Sequence, residues 1–432
     1  MPVPVRFGTD GVRCRFGEVV TADLAYRLGR AVAQVFSAPV FVGYDTRESS
    51  PGLAGAVIAG LSDGGARGVN LGYFTTPGVA HIARARGGVG VVVSASHNPY
   101  YDNGLKLFGL GGAKLDGDTQ GAIEAALGRG DGAPAEVDLP DRDESAEREY
   151  VDHLRRLAPA DLSALSLVVD CANGAASRIA YDLYRSLGAT VVAINDRPNG
   201  RNINATSGST HLDGLVEAVR AHGADLGLAL DGDADRLIAV DGEGTVRDGD
   251  DLLVLFALDQ RDRGVFGGGL VVTSMSNLGL NRALEAAGVT VAVTDVGDRH
   301  VARELEERGW TLGGEQSGHV IFRDMAPTGD GLLTGLVLCE LVARRGPLAE
   351  LAGGAWRRVP QVLLNVASAT FRDDVVRDTY DELVAEYAVA RDQVRLVLRP
   401  SGTEPVVRVM IESTNGDFVE EFAERLRAAD HG

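Results

Sequence analysis

The sequence predicts an α/β protein built from three similar α/β units in series, followed by a small α+β domain. Short apolar runs alternate with helix-periodic segments, this alternation recurs along the chain, and the last part instead groups strands around two helices. Length agrees, since 432 residues is long for a single core and a typical domain takes roughly 100–200 residues.

The first unit has a helix pattern near residues 21–36, an apolar strand at 40–42, a second helix near 51–64 and a strand at 90–93. A polar, acidic stretch around 131–149 contains Asp141-Arg142-Asp143-Glu144 and few apolar residues. It reads as a connector, placing a first domain at 1–150 with its boundary near Tyr150. The second, 151–251, opens with a strand at 167–169. A helix near 176–187 and strands at 190–194 and 226–230 follow. In the third, 252–358, the order is a strand at 270–273, a helix near 278–287 and a strand at 289–293. The repeated rhythm suggests duplication, although no repeat is visible by identity. The fourth, 359–432, has strands around 361–366, 394–398 and 406–411 and helices near 372–388 and 418–429.

Charged residues make up 24% and the AVILMFWYC set 45%, an ordinary globular balance that excludes a mainly disordered chain. The N-terminus shows no apolar stretch behind a basic one, and no uncharged run is long enough to span a bilayer, so a cytoplasmic protein is expected. Cys14, Cys171 and Cys339 lack the CxxC pairing of zinc or dithiol sites and fit a reducing compartment. The net charge of −19 argues against nucleic acid and membrane as partners, because binding phosphate without base readout needs clustered Lys and Arg. It also repels anionic small molecules at long range. An anionic ligand would therefore need arginines beside glycine-rich loops to overcome the global field. Solubility alone is the plainer reading of the charge.

Four loops could carry chemistry. The first is Val91-Val92-Val93-Ser94-Ala95-Ser96-His97-Asn98-Pro99, a buried strand ending in hydroxyl residues before a proline-fixed turn. Open α/β sheets hold ligands beyond the carboxyl ends of their strands, so a serine here could be a nucleophile or phosphate carrier. A turn in which Ser or Asn hydrogen-bonds the backbone is the structural alternative. The second is Ala229-Leu230-Asp231-Gly232-Asp233-Ala234-Asp235-Arg236. Three carboxylates at alternate positions, separated by the smallest side chains, can converge on a hard cation such as magnesium. A solvated acidic turn gives no reason for such regular spacing. Nearby Asp248-Gly249-Asp250-Asp251 lacks that spacing and reads as acids near a helix N-terminus.

The third loop, Leu312-Gly313-Gly314-Glu315-Gln316-Ser317-Gly318-His319, offers groups that can hold sugar hydroxyls, with His319 able to act as acid or base or to be structural. The fourth, Arg399-Pro400-Ser401-Gly402-Thr403-Glu404-Pro405 with Arg408, combines a glycine turn, hydroxyls and two arginines, which suits a phosphate clamp. An ordinary strand-connecting loop is the alternative.

Together and in this order, the four loops resemble the α-D-phosphohexomutase superfamily, over residues 7–411. Gly8-Thr9-Asp10-Gly11-Val12-Arg13, Ser94-Ala95-Ser96-His97-Asn98-Pro99-Tyr100-Tyr101-Asp102-Asn103-Gly104, Asp170-Cys171-Ala172-Asn173-Gly174-Ala175 and Gly314-Glu315-Gln316-Ser317-Gly318-His319 resemble its bacterial phosphoglucosamine mutase branch most closely. Gln316 and the Tyr-Asp-Asn-Gly run favour that branch over the phosphomannomutases.

The resemblance implies mixed-sheet domains around a central cleft, each giving one loop. It implies that Ser96 is phosphorylated and, with Asp231, Asp233 and Asp235, ligates Mg2+. Arg13, His97 and Lys106 would lie near the transferred phosphoryl group, and Lys106 or His319 would serve as general acid or base. Glu315 and Ser317 would hold sugar hydroxyls. Arg399, Ser401, Gly402, Thr403 and Arg408 would hold the phosphate not being transferred, and Arg299, in Val296-Gly297-Asp298-Arg299-His300, would face the sugar. The partner implied is a small-molecule sugar phosphate, with a hexosamine or hexose 1,6-bisphosphate as intermediate and activator; a homodimer is left open.

The expected reaction interconverts glucosamine 6-phosphate and glucosamine 1-phosphate for UDP-N-acetylglucosamine synthesis. The alternatives are phosphomannomutase or phosphoglucomutase activity, a metal-dependent phosphatase, and a non-catalytic sugar-phosphate sensor. Cys14 stands where the family usually has glycine. It is either a tolerated substitution or a thiol made oxidation-sensitive by Arg13 and Arg15.

Overall fold

The computed structural model describes residues 7–8, 11–127, 138–157, 161–400 and 406–430. Its first sheet contains β1 (Val12–Arg15), β2 (Val40–Tyr44), β3 (Gly68–Tyr73), β4 (Val89–Val93) and β5 (Asp102–Phe108), in the order β1-β5-β4-β2-β3. β3, β2 and β4 run parallel, while β5 returns antiparallel to β4 and carries β1 at the edge. The second sheet holds β6 (Ser166–Asp170), β7 (Thr190–Ile194), β8 (Leu226–Leu230), β9 (Leu237–Asp241) and β10 (Val246–Arg247), ordered β10-β9-β8-β6-β7. In the third, β11 (Leu270–Thr273), β12 (Val291–Thr294), β13 (Leu312–Gly314) and β14 (Val320–Phe322) are ordered β12-β11-β13-β14.

Each of these sheets contains three parallel strands closed by one antiparallel return: β4 to β5, β8 to β9, and β13 to β14. The duplication suggested by the sequence rhythm is thus a repeated topology. The fourth sheet is wholly antiparallel, with β15 (Gln361–Ala367), β17 (Val406–Ser413) and β16 (Val394–Pro400) in that order, backed by the helices Asp373–Glu386 and Gly416–Asp430.

The parallel strands β2, β4 and β8 are buried along their whole length, as expected when helices cover both faces and remove the polar alternation. The helix Ala22–Val35 begins at Thr21, whose side chain accepts the Leu24 N–H, and ends at Phe36, close to the 21–36 expected. The acids at 248–251 do start a helix. Asp248 caps Gly249–Asp262 and forms a reciprocal capping box with Asp251.

Two expectations differ from the structure. The segment at 176–187 is a short 3-10 turn, Ala175–Arg178, followed by the helix Ala180–Ser186. Its start is held by the Ala175 N–H, which donates to the Gly232 carbonyl at 2.9 Å instead of entering a regular helix. The acidic stretch taken as a connector is helical from Glu144 to Leu157, through the expected boundary near Tyr150. Ala146, Tyr150 and Leu154 form a buried stripe one turn apart, which the surrounding acids conceal in the sequence; residues 128–137 fall outside the described set.

That helix docks on Thr76–Ala85 partly through stacked imidazoles, His81 on His153, with centroids 4.1 Å apart and planes at 23°. Burial, and then the neighbouring His153, push the His81 pKa down to about 4. In the unfolded chain histidine titrates near 6.5, so on acidification that state takes up the proton first and stability is lost as pH falls from about 6.5 towards 4. The full shift corresponds to about 3 kcal/mol, which partial solvent access reduces to roughly 1–2. His81→Phe keeps an aromatic stack without the titration. Its Tm relative to the parent is expected to rise by about 2–3 °C between pH 7 and pH 4.5, measured by thermal melts across that range.

Candidate active site

The first three expected loops occupy equivalent places, between the third parallel strand and its antiparallel return, and backbone hydrogen bonds tie neighbouring units together beside them. The Thr76 N–H donates to the Asp233 carbonyl at 2.9 Å, and the Leu237 N–H to the Gly318 carbonyl at 3.0 Å. Contact is close enough to require glycine twice. A Cβ on Gly232 would lie 2.6 Å from the Ser96 carbonyl oxygen, and one on Gly318 would lie 2.2 Å from the Leu237 carbonyl oxygen. The glycine between the first two acids is therefore a steric necessity.

Ser96 is buried in a left-handed backbone conformation, φ 52°, a strained choice for serine. Its Oγ donates to Asp231 Oδ2 at 2.5 Å and lies 3.3 Å from His97 Nδ1. Asp231, Asp233 and Asp235 are all buried, each offering an oxygen within 4.8 Å of the others. Thr76 Oγ1 donates to Asp233 Oδ2 at 2.6 Å, and Lys106 Nζ stands 3.3 Å from Asp235 Oδ2. Asp233 Oδ1 and Asp235 Oδ1 are buried without a hydrogen-bond partner.

Burial, then the neighbouring acids, raise the Asp231 pKa far above the usual carboxylate range. Burial and Asp235 also raise Asp233. Burial pushes Asp235 upward as well, but Lys106 and His319 outweigh it and hold Asp235 well below that range. Unpartnered buried carboxylate oxygens are costly, and three converging carboxylates are what a hard divalent cation accepts. The residues present therefore fit a metal ion.

Lys106 and His319 are only 4% and 2% exposed. His319 Nδ1 faces Asp235 Oδ2 at 3.6 Å, while its Nε2 accepts the Gly329 N–H at 3.2 Å. Burial lowers the His319 pKa, but Asp235 and Asp298 raise it further, for a net upward shift. Asp298, at the start of the helix Asp298–Arg308, joins the group: its Oδ2 pairs with Lys114 and lies 3.6 Å from Lys106 Nζ. Thr76, Lys114 and the structural part played by Asp298 were not found from sequence. Thr76 acts on Asp233, 157 positions away, and Lys114 and Asp298 pair across 184 positions, so no local pattern announces them.

At His97, whose Nδ1 lies 3.3 Å from Ser96 Oγ, the buried cluster adjoins, without itself lining, a cavity of about 1020 Å³ reached by residues from all four sheet regions. Arg13, His97, Glu315, Ser317, Arg399 and Arg408 line it, as does Cys14. Arg399 and Arg408 are directly opposite on β16 and β17. Burial and then the Arg408 charge lower the Arg399 pKa; like charges so placed repel and favour an anion between them.

Glu315 Oε1 accepts the Gly297 N–H at 3.0 Å, which ties the sugar-loop candidate to the start of the Asp298 helix. Arg299 is not among the lining residues; it donates to Gln120 Oε1 at 2.8 Å and to the Gly8 carbonyl at 3.4 Å. Cys14 Sγ donates to the Arg15 carbonyl and accepts the Val20 N–H, each at 3.3 Å. Ser401, Gly402 and Thr403 lie outside the described residues. No helix among the described residues is long and apolar enough to cross a membrane.

Comparison with known proteins agrees with this architecture. Family profiles described as phosphoglucomutase/phosphomannomutase alpha/beta/alpha domains I, II and III match residues 4–132, 148–244 and 248–359, and the C-terminal domain profile matches 374–429. A phosphoglucosamine mutase of Mycolicibacterium paratuberculosis is 46% identical, over 98% of each chain. A crystal structure of a phosphoglucomutase/phosphomannomutase family protein from Burkholderia thailandensis aligns with a TM-score of 0.81 at 27% identity, covering 98% of this chain and 96% of the other. The Aspergillus fumigatus N-acetylphosphoglucosamine mutase, solved in complex with GlcNAc-6P and magnesium, shares the fold with a TM-score of 0.67 at 19% identity, over 99% of this chain and 95% of that one.

Proposed function

The chain belongs to the phosphoglucomutase/phosphomannomutase family, and from that premise we propose that it interconverts glucosamine 6-phosphate and glucosamine 1-phosphate, using Ser96 as phosphate carrier. One observation carries the mechanism. Ser96 Oγ lies 2.5 Å from a carboxylate of the buried triad, while two facing arginines line the cavity that adjoins it at His97. Carrier and clamp are what a sugar bearing a phosphate at either end requires. The choice of glucosamine is supported by the 46% identical relatives named phosphoglucosamine mutase.

Arg399 and Arg408 hold the phosphate that stays in place, with Ser401, Gly402 and Thr403 assigned to the same clamp. Glu315 and Ser317 hold sugar hydroxyls, and Arg299 acts from the loop beside them. Phospho-Ser96 donates its phosphoryl group to the free sugar hydroxyl: the P–O bond to Ser96 Oγ breaks, a P–O bond to the sugar oxygen forms, and the hydroxyl proton passes by way of the neutral form of Lys106 or His319 to the departing Ser96 oxygen. Arg13 and His97 orient the group in flight. The resulting 1,6-bisphosphate turns over so that its other phosphate returns to Ser96, and the same bisphosphate recharges enzyme that has lost its phosphate. Mg2+ held by Asp231, Asp233, Asp235 and the Ser96 phosphate would neutralise charge on the departing serine oxygen. Because charged sugar phosphates do not cross bilayers, we place this reaction in the cytoplasm.

A substrate panel tests the reading. Turnover of glucosamine 6-phosphate is expected to exceed that of glucose 1-phosphate and mannose 1-phosphate by at least about tenfold in kcat/KM. A reversed order makes the enzyme a phosphoglucomutase or phosphomannomutase, and net release of inorganic phosphate makes it a phosphatase.

A further inference from the structure

Arg47 lies just beyond β2, in Asp45-Thr46-Arg47, and its side chain is fully buried. All five guanidinium N–H groups have acceptors. Nε donates to Asp45 Oδ2 at 2.8 Å. One terminal nitrogen donates to the carbonyl oxygens of Pro99 and, at 2.9 Å, Asp102; the other donates to those of Ser96 and Asn98, at 2.9 and 2.8 Å. Four carbonyls of the Ser96 loop thus converge on one rigid planar cation.

Asp45 completes the grip from the other side. Its Oδ2 also accepts Ser94 Oγ at 2.7 Å, and that same hydroxyl accepts the Ser96 N–H at 2.9 Å. Ser96 is therefore held at both its N–H and its C=O, flanking the left-handed φ of 52°. The second α/β unit adds Asn204, whose Nδ2 donates to the Ser96 and Asn98 carbonyls at 2.8 and 3.0 Å.

A buried ion pair is weak support for stability but can enforce one conformation over others. Here the conformation enforced is the one that aims Ser96 Oγ at Asp231. We propose that Arg47 is a positioning residue for phosphoryl transfer, acting through the carbonyls of the Ser96–Asp102 loop and aided by Asn204. The proposal rests on Ser96 being the phosphate carrier. Lysine cannot substitute, because its single ammonium has three donors and no planar fork to serve acceptors spread along the loop.

The full-length variants Arg47→Lys and Asn204→Gly test it; glycine keeps the φ of 56° at position 204 without strain. Four quantities are read for each: kcat and KM on glucosamine 6-phosphate, the single-turnover rate of Ser96 labelling by radiolabelled glucose 1,6-bisphosphate, and Tm. Since misplacement by about 1 Å can cost on the order of 10²-fold, Arg47→Lys should lower kcat and the labelling rate by about 50–100-fold and leave KM within about threefold. Asn204→Gly, which removes two of the loop's donors, should lower the same two rates by about 5–10-fold.

Rates within about threefold of the parent in folded Arg47→Lys overturn the proposal, as does a rise in KM that accounts for the loss. If Arg47→Lys does not fold, Asn204→Gly decides, and unchanged rates there overturn it. Failure of the unaltered enzyme to take label at Ser96 instead overturns the carrier assignment, so the two failures are distinguishable.

Discussion

Ser96→Ala is expected to lower kcat for glucosamine phosphate isomerisation by at least about 10⁴-fold, the scale on which loss of a covalent group falls. Ser96 Oγ is directed at Asp231 of the acidic triad, 2.5 Å away, and alanine leaves no oxygen at that place to carry a phosphoryl group. The cavity-lining Arg399 and Arg408 are untouched. Calorimetric affinity for the sugar phosphate should therefore stay within about threefold, because only a group acting in the chemical step has been removed. Intact mass after incubation with glucose 1,6-bisphosphate should show one added phosphate on the parent and none on the variant. Isomerisation at the parental rate by Ser96→Ala would remove the basis of the mechanism.

The second large effect separates catalysis from stability. Asp231→Asn is expected to cost about 10³-fold in kcat, the range seen when an electrostatic stabiliser of the transition state is lost. The same substitution removes one of three buried, mutually repelling carboxylates. In chelator-treated protein the variant should melt above the parent, because burying an uncompensated charge beside like charges is destabilising. Magnesium should then raise the parental Tm in a concentration-dependent way, adding about 2.7 kcal/mol of stability at a hundred times Kd, and raise the variant's far less. Equal responses of the two proteins to magnesium would show that the triad is not where the ion binds.

Part of this site was legible because the serine and aspartate loops follow strongly apolar strands, β4 and β8. The strands at 190–194, 226–230 and 270–273 coincide with β7, β8 and β11, and regular spacing of acids after β8 pointed to a cation. What escaped was the antiparallel return. β5 reads Asp102-Asn103-Gly104-Leu105-Lys106-Leu107-Phe108, and its interior lysine makes a buried strand look amphipathic. Lys106 is buried because Asp235 and Asp298 meet it from two other sheets, a fact with no local trace. The same holds for Arg47, whose acceptors lie about fifty residues further along, and for Asp298, whose loop was recognised while its ion pairs were not. Local hydrophobic pattern reports backbone state; polar groups satisfied across units are visible only once the units are assembled.

The recurring strand arrangement has a consequence for how the enzyme divides its work. Ser96, the three aspartates and Glu315 each sit at the same junction of a different copy of one building block, between a parallel strand and its return. The copies behave like specialised subunits fused in a single polypeptide: one bears the hydroxyl proposed as the carrier, the next the carboxylates that face it, the third the groups proposed to hold the sugar. Chemistry exists only where they meet, so no copy cut out by itself retains even a weakened form of the reaction.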